Sequence, residues 1–256
     1  MARILIPLPN TDFDPTESAV PWLAQTTAGH MVRFATPDGA LATADPIMVT
    51  GKGLGLLAPL LMADGNGRQA YAAMALSAEF QRPLAYAEVR SSEFDALLLP
   101  GGHAPGMKAY LESALLQARV AEFFAANKPV AAICHGVLLA ARSRGADGRS
   151  VLHGRKTTAL TKTLELSGWA LTCLWMGRYY RTYPQVLQDE VVGVLAKPQD
   201  FMAGPPALAR DSPVNLAPGF VVRDGNYLSA RWPGDAHRFA SECVALLAEW
   251  APARQG

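Results

Sequence analysis

The stretch that most constrains this chain is a continuous apolar run, residues 129–133, which leads directly into Cys134-His135-Gly136 and then into helical spacing through Ala141. A short uninterrupted apolar run of this kind suits a strand buried on both faces of a parallel sheet. Ala132 two residues before Cys134 and Gly136 two residues after it reproduce the small-x-nucleophile-x-small spacing of a nucleophile elbow. The small residues have a physical purpose. A sharp strand-to-helix turn brings flanking backbones too close for large side chains, and it lifts the central residue to the carboxyl edge of the sheet, where ligands bind in open α/β folds.

The rest of the chain alternates short apolar runs, ended by Gly or Pro, with longer amphipathic stretches, and so predicts an α/β fold with a mostly parallel sheet and helices on both faces. Residues 3–8 read as a first strand, 16–28 as a helix ended by Gly29, and 31–36 as a second strand closed by Pro37-Asp38-Gly39. Residues 40–61 are Gly-rich and carry no clear period; residues 51–55 lack the Gly-Lys-Ser/Thr ending of a phosphate loop and read as plain loop. Residues 68–84 and 107–126 have helical spacing, and 94–99 form a strand stopped by Pro100-Gly101-Gly102. A short strand is expected near 156–160, helices over 165–180 and 185–196, and a hairpin pairing 219–222 with 227–230 around Asp224-Gly225-Asn226. A Pro-rich surface connection, residues 198–218, precedes the last helix at 235–250, and no internal repeat interrupts the expectation of one domain over 1–256.

Composition narrows the function classes. A 50% hydrophobic, 18% charged chain can bury a core and is not disordered. Lys and Arg total 23 against 22 Asp and Glu, with no dense basic stretch, which argues against a nucleic-acid partner. Prolines 7 and 9 interrupt the N-terminal apolar residues before they make a signal-peptide core, and no apolar run approaches the ~20 residues that cross a bilayer. The expected location is therefore cytoplasmic, with no membrane partner. The three cysteines, Cys134, Cys173 and Cys243, form no Cys-x-x-Cys pair and no disulfide framework; Cys173 and Cys243 sit in helical patterns and read as structural.

Cys134 is the candidate nucleophile, because a helix N-terminus offers N–H groups and a positive dipole end that favour thiolate over thiol. His135 beside it has an ordinary pKa of ~6.5 and can move a proton near neutrality. Pro100-Gly101-Gly102 ends a second strand at the same sheet edge, where its backbone N–H groups can face a developing oxyanion, and His103 follows at the rim. Gly101 and His103 are thus the candidate substrate-binding residues.

Leu98-Leu-Pro-Gly-Gly-His103, followed some thirty residues later by Ala-Ala-Ile-Cys-His-Gly136, resembles the ThiJ/PfpI branch of the class I glutamine amidotransferase-like superfamily, especially the larger Hsp31-type chaperone/glyoxalase III-like members. Ala35-Thr-Pro-Asp-Gly39, Leu152-His-Gly-Arg-Lys156 and Val221-Val-Arg-Asp-Gly-Asn-Tyr-Leu228 extend the resemblance over most of the chain. It implies a single flavodoxin-like domain, a catalytic Cys134 with His135 as proton partner, and an oxyanion hole made by the N–H groups of Gly102 and His135. It further implies that Glu17, on the first helix, hydrogen-bonds the reactive sulfur, and that Glu165 orients His135. A homodimer is implied as well. Two departures stand out: Gly-Gly-His-Ala-Pro-Gly106 where the family commonly has Gly after the His, and Ser229-Ala-Arg-Trp-Pro233 where relatives usually end Gly-Gln-Asn-Pro. Trp169, Trp175, Tyr179 and Tyr180 form an aromatic cluster that reads as core or subunit contact, or as a roof over the pocket.

None of the five histidines, His30, His103, His135, His153 and His237, begins the His-x-Glu pair of true glutaminases, so amidotransfer is discounted. The leading expectation is a cofactor-free, metal-free enzyme for small reactive carbonyls, resembling glyoxalase III, which takes methylglyoxal to lactate without glutathione. A cysteine amidase or peptidase acting on an amide substrate uses the same thiolate and oxyanion hole. A non-enzymatic stress chaperone, or a sensor whose Cys134 oxidises beside Glu17, is the alternative from another class.

Overall fold

The computed structural model describes residues 1–253. The strands are β1 (Arg3–Pro7), β2 (Thr11–Phe13), β3 (Met31–Thr36), β4 (Thr43–Ala44), β5 (Leu84–Ala85), β6 (Ala96–Leu99), β7 (Val130–Ile133), β8 (Val221–Asp224) and β9 (Tyr227–Ala230). The helices are α1 (Pro15–Thr27), α2 (Pro46–Thr50), α3 (Ala58–Leu61), α4 (Gly65–Leu76), α5 (Lys108–Leu111), α6 (Ala114–Ala125), α7 (His135–Arg142), α8 (Lys162–Met176), α9 (Leu187–Val192) and α10 (Ala236–Ala253). Seven strands make one sheet in the order β5-β3-β1-β6-β7-β9-β8, parallel except for β8, and β2 pairs with β4 apart from it. The expected α/β architecture with a mostly parallel sheet is the observed one.

The winding direction places the site. From β1 the chain moves outward through β3 to β5, then returns to β6 on the other side of β1 and proceeds to β7. Right-handed crossovers in opposite directions put their helices on opposite faces, and the carboxyl ends of β1 and β6 become the crevice where the direction reverses. In agreement, α1 packs with α4 and α10, whereas α7 packs with α5, α6 and α9. Strands β6 and β7 are buried along their whole length, so each large apolar side chain there contributes on the order of 1.5–3 kcal/mol.

Local chemistry explains where the expected boundaries moved. Ser113 caps α6 by accepting from Leu116 N–H, so the helix expected over 107–126 is broken at Glu112. The helix expected over 68–84 starts earlier, capped by Asp64, and ends at Leu76. The Gly-rich stretch 40–61 resolves into β4 and two short helices, with Gly51 closing the first at φ 70°. The strand expected near 156–160 does not form. The place beside β7 is taken by β9, and the segment is tied to β9 by side chains: Thr157 Oγ1 lies 2.9 Å from the Tyr227 hydroxyl, and Thr158 N–H donates to Ser229 Oγ. Among the described residues no helix is long and apolar enough to cross a membrane.

Candidate active site

Three chain segments meet at the reversal point. Cys134 follows β7, Pro100-Gly101-Gly102 follows β6, and Glu17 projects from the first turn of α1, whose start is fixed by Asp14 accepting from the N–H groups of Thr16 and Glu17. Cys134 is buried and stands at φ 56°, ψ −120°, the strained conformation that a nucleophile elbow imposes on a residue with a side chain. Gly136 makes the turn possible: a Cβ there would lie 2.0 Å from the Leu99 carbonyl oxygen.

Gly101 is held for a different purpose than expected. Its N–H donates to Glu17 Oε2 at 3.0 Å, and a Cβ on it would meet that same oxygen at 2.6 Å and His135 N at 2.7 Å. It therefore seats the acid and is absent from the pocket lining, where Gly102 and His103 stand beside Cys134. Glu17 is fully buried and shares a hydrogen bond with the Cys134 thiol. Burial, with the charge of Asp14 added, holds its carboxyl well above the usual carboxylate range. Burial likewise pushes the Cys134 thiol up, and the neighbouring Glu17 and Asp14 carboxyls act in the same direction; the His135 backbone N–H at the helix start opposes it and does not prevail. The expectation of a resting thiolate is corrected accordingly: the resting form is the thiol.

His135 is corrected in the same sense. Burial lowers it to about 3, with the neighbouring His103 and Arg142 acting in the same direction, so it is a neutral imidazole at working pH. Its Nδ1 lies 3.5 Å from Cys134 Sγ, and its Nε2 lies 3.0 Å from Thr182 Oγ1. Thr182 donates its one hydroxyl proton to the His103 carbonyl at 2.6 Å, because a carbonyl can only accept. The hydroxyl must then accept from Nε2–H, which leaves the Nδ1 lone pair facing the thiol.

The orienting contact expected of Glu165 thus belongs to Thr182. Glu165 is buried, pairs with Arg181 Nε at 2.9 Å, and accepts from Leu187 N–H at the start of α9. It borders the pocket, yet its carboxylate is committed to joining α8 to α9. The aromatic cluster divides. Tyr180 stacks on His103 with ring centroids 4.4 Å apart, Tyr179 meets both edge-on, and Trp175 donates instead to the Gly53 carbonyl at the surface. Burial by this stack lowers His103 to about 4.

The cavity over Cys134 is about 250 Å³, near the lower end of ligand pockets at roughly 300–1,000 Å³. Beyond the residues expected from sequence it is bordered by Asp14, Arg210 and Trp232. Asp14 had no expected role from the sequence; desolvation raises it to about 6. Trp232 lies in the Ser229–Pro233 departure from the family pattern, where buried Arg231 pairs with Asp235 through two 2.9 Å contacts.

An open α/β sheet that presents a buried cysteine on a strained elbow, with an acid and a neutral imidazole against the sulfur, defines a nucleophile-elbow cysteine protein. The chain belongs to the ThiJ/PfpI family: the model for ThiJ/PfpI family-like proteins matches residues 8–205. Deglycase PfpI of Pyrococcus furiosus is 32% identical over 166 residues, which cover 64% of this chain and 69% of that one. Among solved structures, Rapid Encystment Protein 24 KDa of Francisella tularensis superposes with a TM-score of 0.69 at 18% identity, covering 96% of this chain and 99% of that one. Glyoxalase III of Candida albicans gives 0.66 at 16% identity, with coverages of 96% and 97%. At these identities the structural likeness is one of fold.

Proposed function

We infer that the protein is a cysteine-dependent enzyme acting on reactive carbonyls, and that it converts 2-oxoaldehydes and water to 2-hydroxy acids without glutathione or a cofactor. The observation that carries this reading is the Nδ1 lone pair held 3.5 Å from the Cys134 thiol by the Thr182 hydroxyl. The relative named as a deglycase and the structural neighbour named as a glyoxalase III support the carbonyl class.

In this reading the Cys134 sulfur forms a bond to the aldehyde carbon as its proton passes to His135 Nδ1, and the N–H groups of Gly102 and His135 receive the oxygen. Protonation of that oxygen gives the hemithioacetal. His135 then removes the hydrogen on the former aldehyde carbon and returns a proton to the neighbouring carbon, by way of the enediol, to leave a thioester of the 2-hydroxy acid. Water cleaves the thioester, releasing the acid and restoring the thiol. Atoms and electrons balance with water alone: the aldehyde carbon is oxidised as the ketone carbon is reduced. In this reading Glu17 carries a proton and shares it with the sulfur, so that the thiolate that forms transiently does not bear its charge unaided.

Glutathione-free consumption of methylglyoxal, with lactate measured as product, tests the reading on wild type and Cys134→Ala. Turnover that falls by at least ~10³-fold in the variant supports it. Absence of lactate in the wild type overturns it, and peroxide-dependent oxidation of Cys134 without aldehyde turnover would identify a thiol sensor instead.

A further inference from the structure

A three-carbon oxoaldehyde leaves two features of the pocket unused. Cys134, Glu17 and Gly102 lie buried at its floor, whereas its upper walls are apolar: Leu60, Leu164, Leu171, Leu208 and Trp232, with Leu60 and Leu208 exposed at the mouth. Among those walls stands the single Lys or Arg of the lining, Arg210. Its Nη2 donates to the carbonyls of Leu60 and Met62 at 3.1 Å each, and its guanidinium lies 5.4 Å from the centre of the Trp232 ring. It belongs to none of the ion pairs among the described residues.

Arg210 Nη1, Trp232 Nε1 and the Tyr180 hydroxyl, all on residues that border this cavity, have no hydrogen-bond partner. Buried donors left unpaired cost on the order of 1–3 kcal/mol each, and more when charged. Such a set favours an incoming group that is rich in acceptors and negatively charged, which a guanidinium fork receives best as a carboxylate. The acids nearby do not already fill that need. Glu17 sits on the floor bonded to Gly101 N–H and the Cys134 thiol, Glu165 is paired with Arg181, and Asp14 spends one oxygen on capping α1, leaving it near Arg210 without a direct ion pair.

Resting on the carbonyl reading above, we propose that the natural substrate has an aromatic or branched apolar body and a carboxylate remote from the reactive carbonyl, with the carboxylate bound by Arg210. The floor attacks the carbonyl, the apolar walls enclose the body, and Arg210 near the mouth selects the charged end.

The test uses binding, not turnover. Isothermal titration calorimetry on the Cys134→Ala protein compares 4-acetylbenzoate with acetophenone, which share the ring and ketone and differ in the carboxylate. The carboxylate ligand is expected to bind at least tenfold more tightly. Arg210→Met is expected to erase that difference while leaving acetophenone within about twofold, and Arg210→Lys to restore part of it. Equal affinity for the two ligands, no binding of either, or a preference that survives Arg210→Met overturns the proposal. Because Arg210 also ties down Leu60 and Met62, melting curves accompany both variants; if Arg210→Met does not fold, the ligand pair and Arg210→Lys still decide. A carboxylate preference without oxoaldehyde turnover refutes the reaction and keeps this ligand class, and turnover without the preference does the reverse.

Discussion

Cys134 and Thr182 both touch His135, but they reach it from differently built parts of the molecule. Cys134 is placed by backbone: a buried parallel strand, a turn into α7, and a glycine whose missing Cβ lets the turn pass under Leu99. Thr182 is placed by a chain of side-chain contacts running from Glu165 and Arg181 through the His103–Tyr180 stack, in a segment between α8 and α9 with no ladder partners. A backbone-built element tolerates almost no change at its tight points, whereas a side-chain-built wall can be re-cut residue by residue. That contrast separates a rigid floor from a wall that single substitutions can reshape.

The largest effect is expected where the backbone leaves no room. In Gly136→Ala the new Cβ would sit 2.0 Å from Leu99 O and 2.9 Å from Pro100 O, and neither backbone can retreat without opening β6. A loss of about 3 kcal/mol or more is expected, seen as a fall of roughly 6–12 °C in melting temperature or as insoluble protein. Gly168→Ala in the pocket wall is the counterpart. The three atoms nearest its Cβ all belong to the Tyr180 ring, the closest at 3.2 Å, so its melting temperature should stay within about 3 °C. Equal losses in the two variants would erase the distinction between floor and wall.

Next in size is Thr182→Val, which keeps the shape and removes the hydroxyl. His135 then loses the acceptor for Nε2–H, both tautomers become populated, and kcat should drop about 10–100-fold with KM little changed. Thr182→Ser should recover most of the rate, because the hydroxyl can again donate to His103 O and accept from Nε2–H. A Val variant with unchanged kcat would show that the tautomer is set by something else.

This asymmetry also decides what could be read from the chain. The elbow was legible because an apolar run, a cysteine and two small residues at fixed spacing have one common structural solution. Glu17 was legible only through the family resemblance, which places an acid on the first helix; the Gly101 N–H that it holds is 84 positions away, so nothing local announces the contact. Glu165 was misread for the opposite reason. Its distance from the elbow passes through an irregular stretch where an expected strand is replaced by side-chain bonds to β9, and nothing local says which residue will arrive at His135. Thr182 carries no period, cap or motif that could have announced it. Arg210 lies in the Pro-rich connection, whose path over the pocket mouth depends on contacts such as those with Leu60 and Met62, more than 140 positions away. Trp232 was visible as a departure from the family ending, although its place in the wall was not.

Glu165→Gln sharpens the same point with a smaller effect on rate. The variant breaks a buried pair with Arg181 and weakens the tie to Leu187 N–H, so about 1–3 kcal/mol of stability should be lost. Turnover by the folded fraction at 25 °C should remain within about threefold, because His135 keeps Thr182. A loss of kcat as large as that of Thr182→Val, without a lower melting temperature, would return the orienting role to Glu165.

The smallest expected change is an absence of titration. An exposed histidine acting as base would lose activity as pH falls through its ordinary value of ~6.5. Burial lowers His135 to about 3, so Nδ1 stays free over the whole range from pH 8 to pH 5. Asp14, raised to about 6, takes up a proton in that range, and its protonation removes a negative charge that holds the Cys134 thiol up. The two effects have the same sign for attack: neither penalises acidification. kcat/KM for methylglyoxal should therefore vary by no more than about twofold between pH 8 and pH 5, in a plain rate profile corrected for unfolded protein. A tenfold decline centred between pH 6 and 7 would mean that His135 meets water in the working enzyme, and that the pocket floor is less sealed from its walls than the geometry shows.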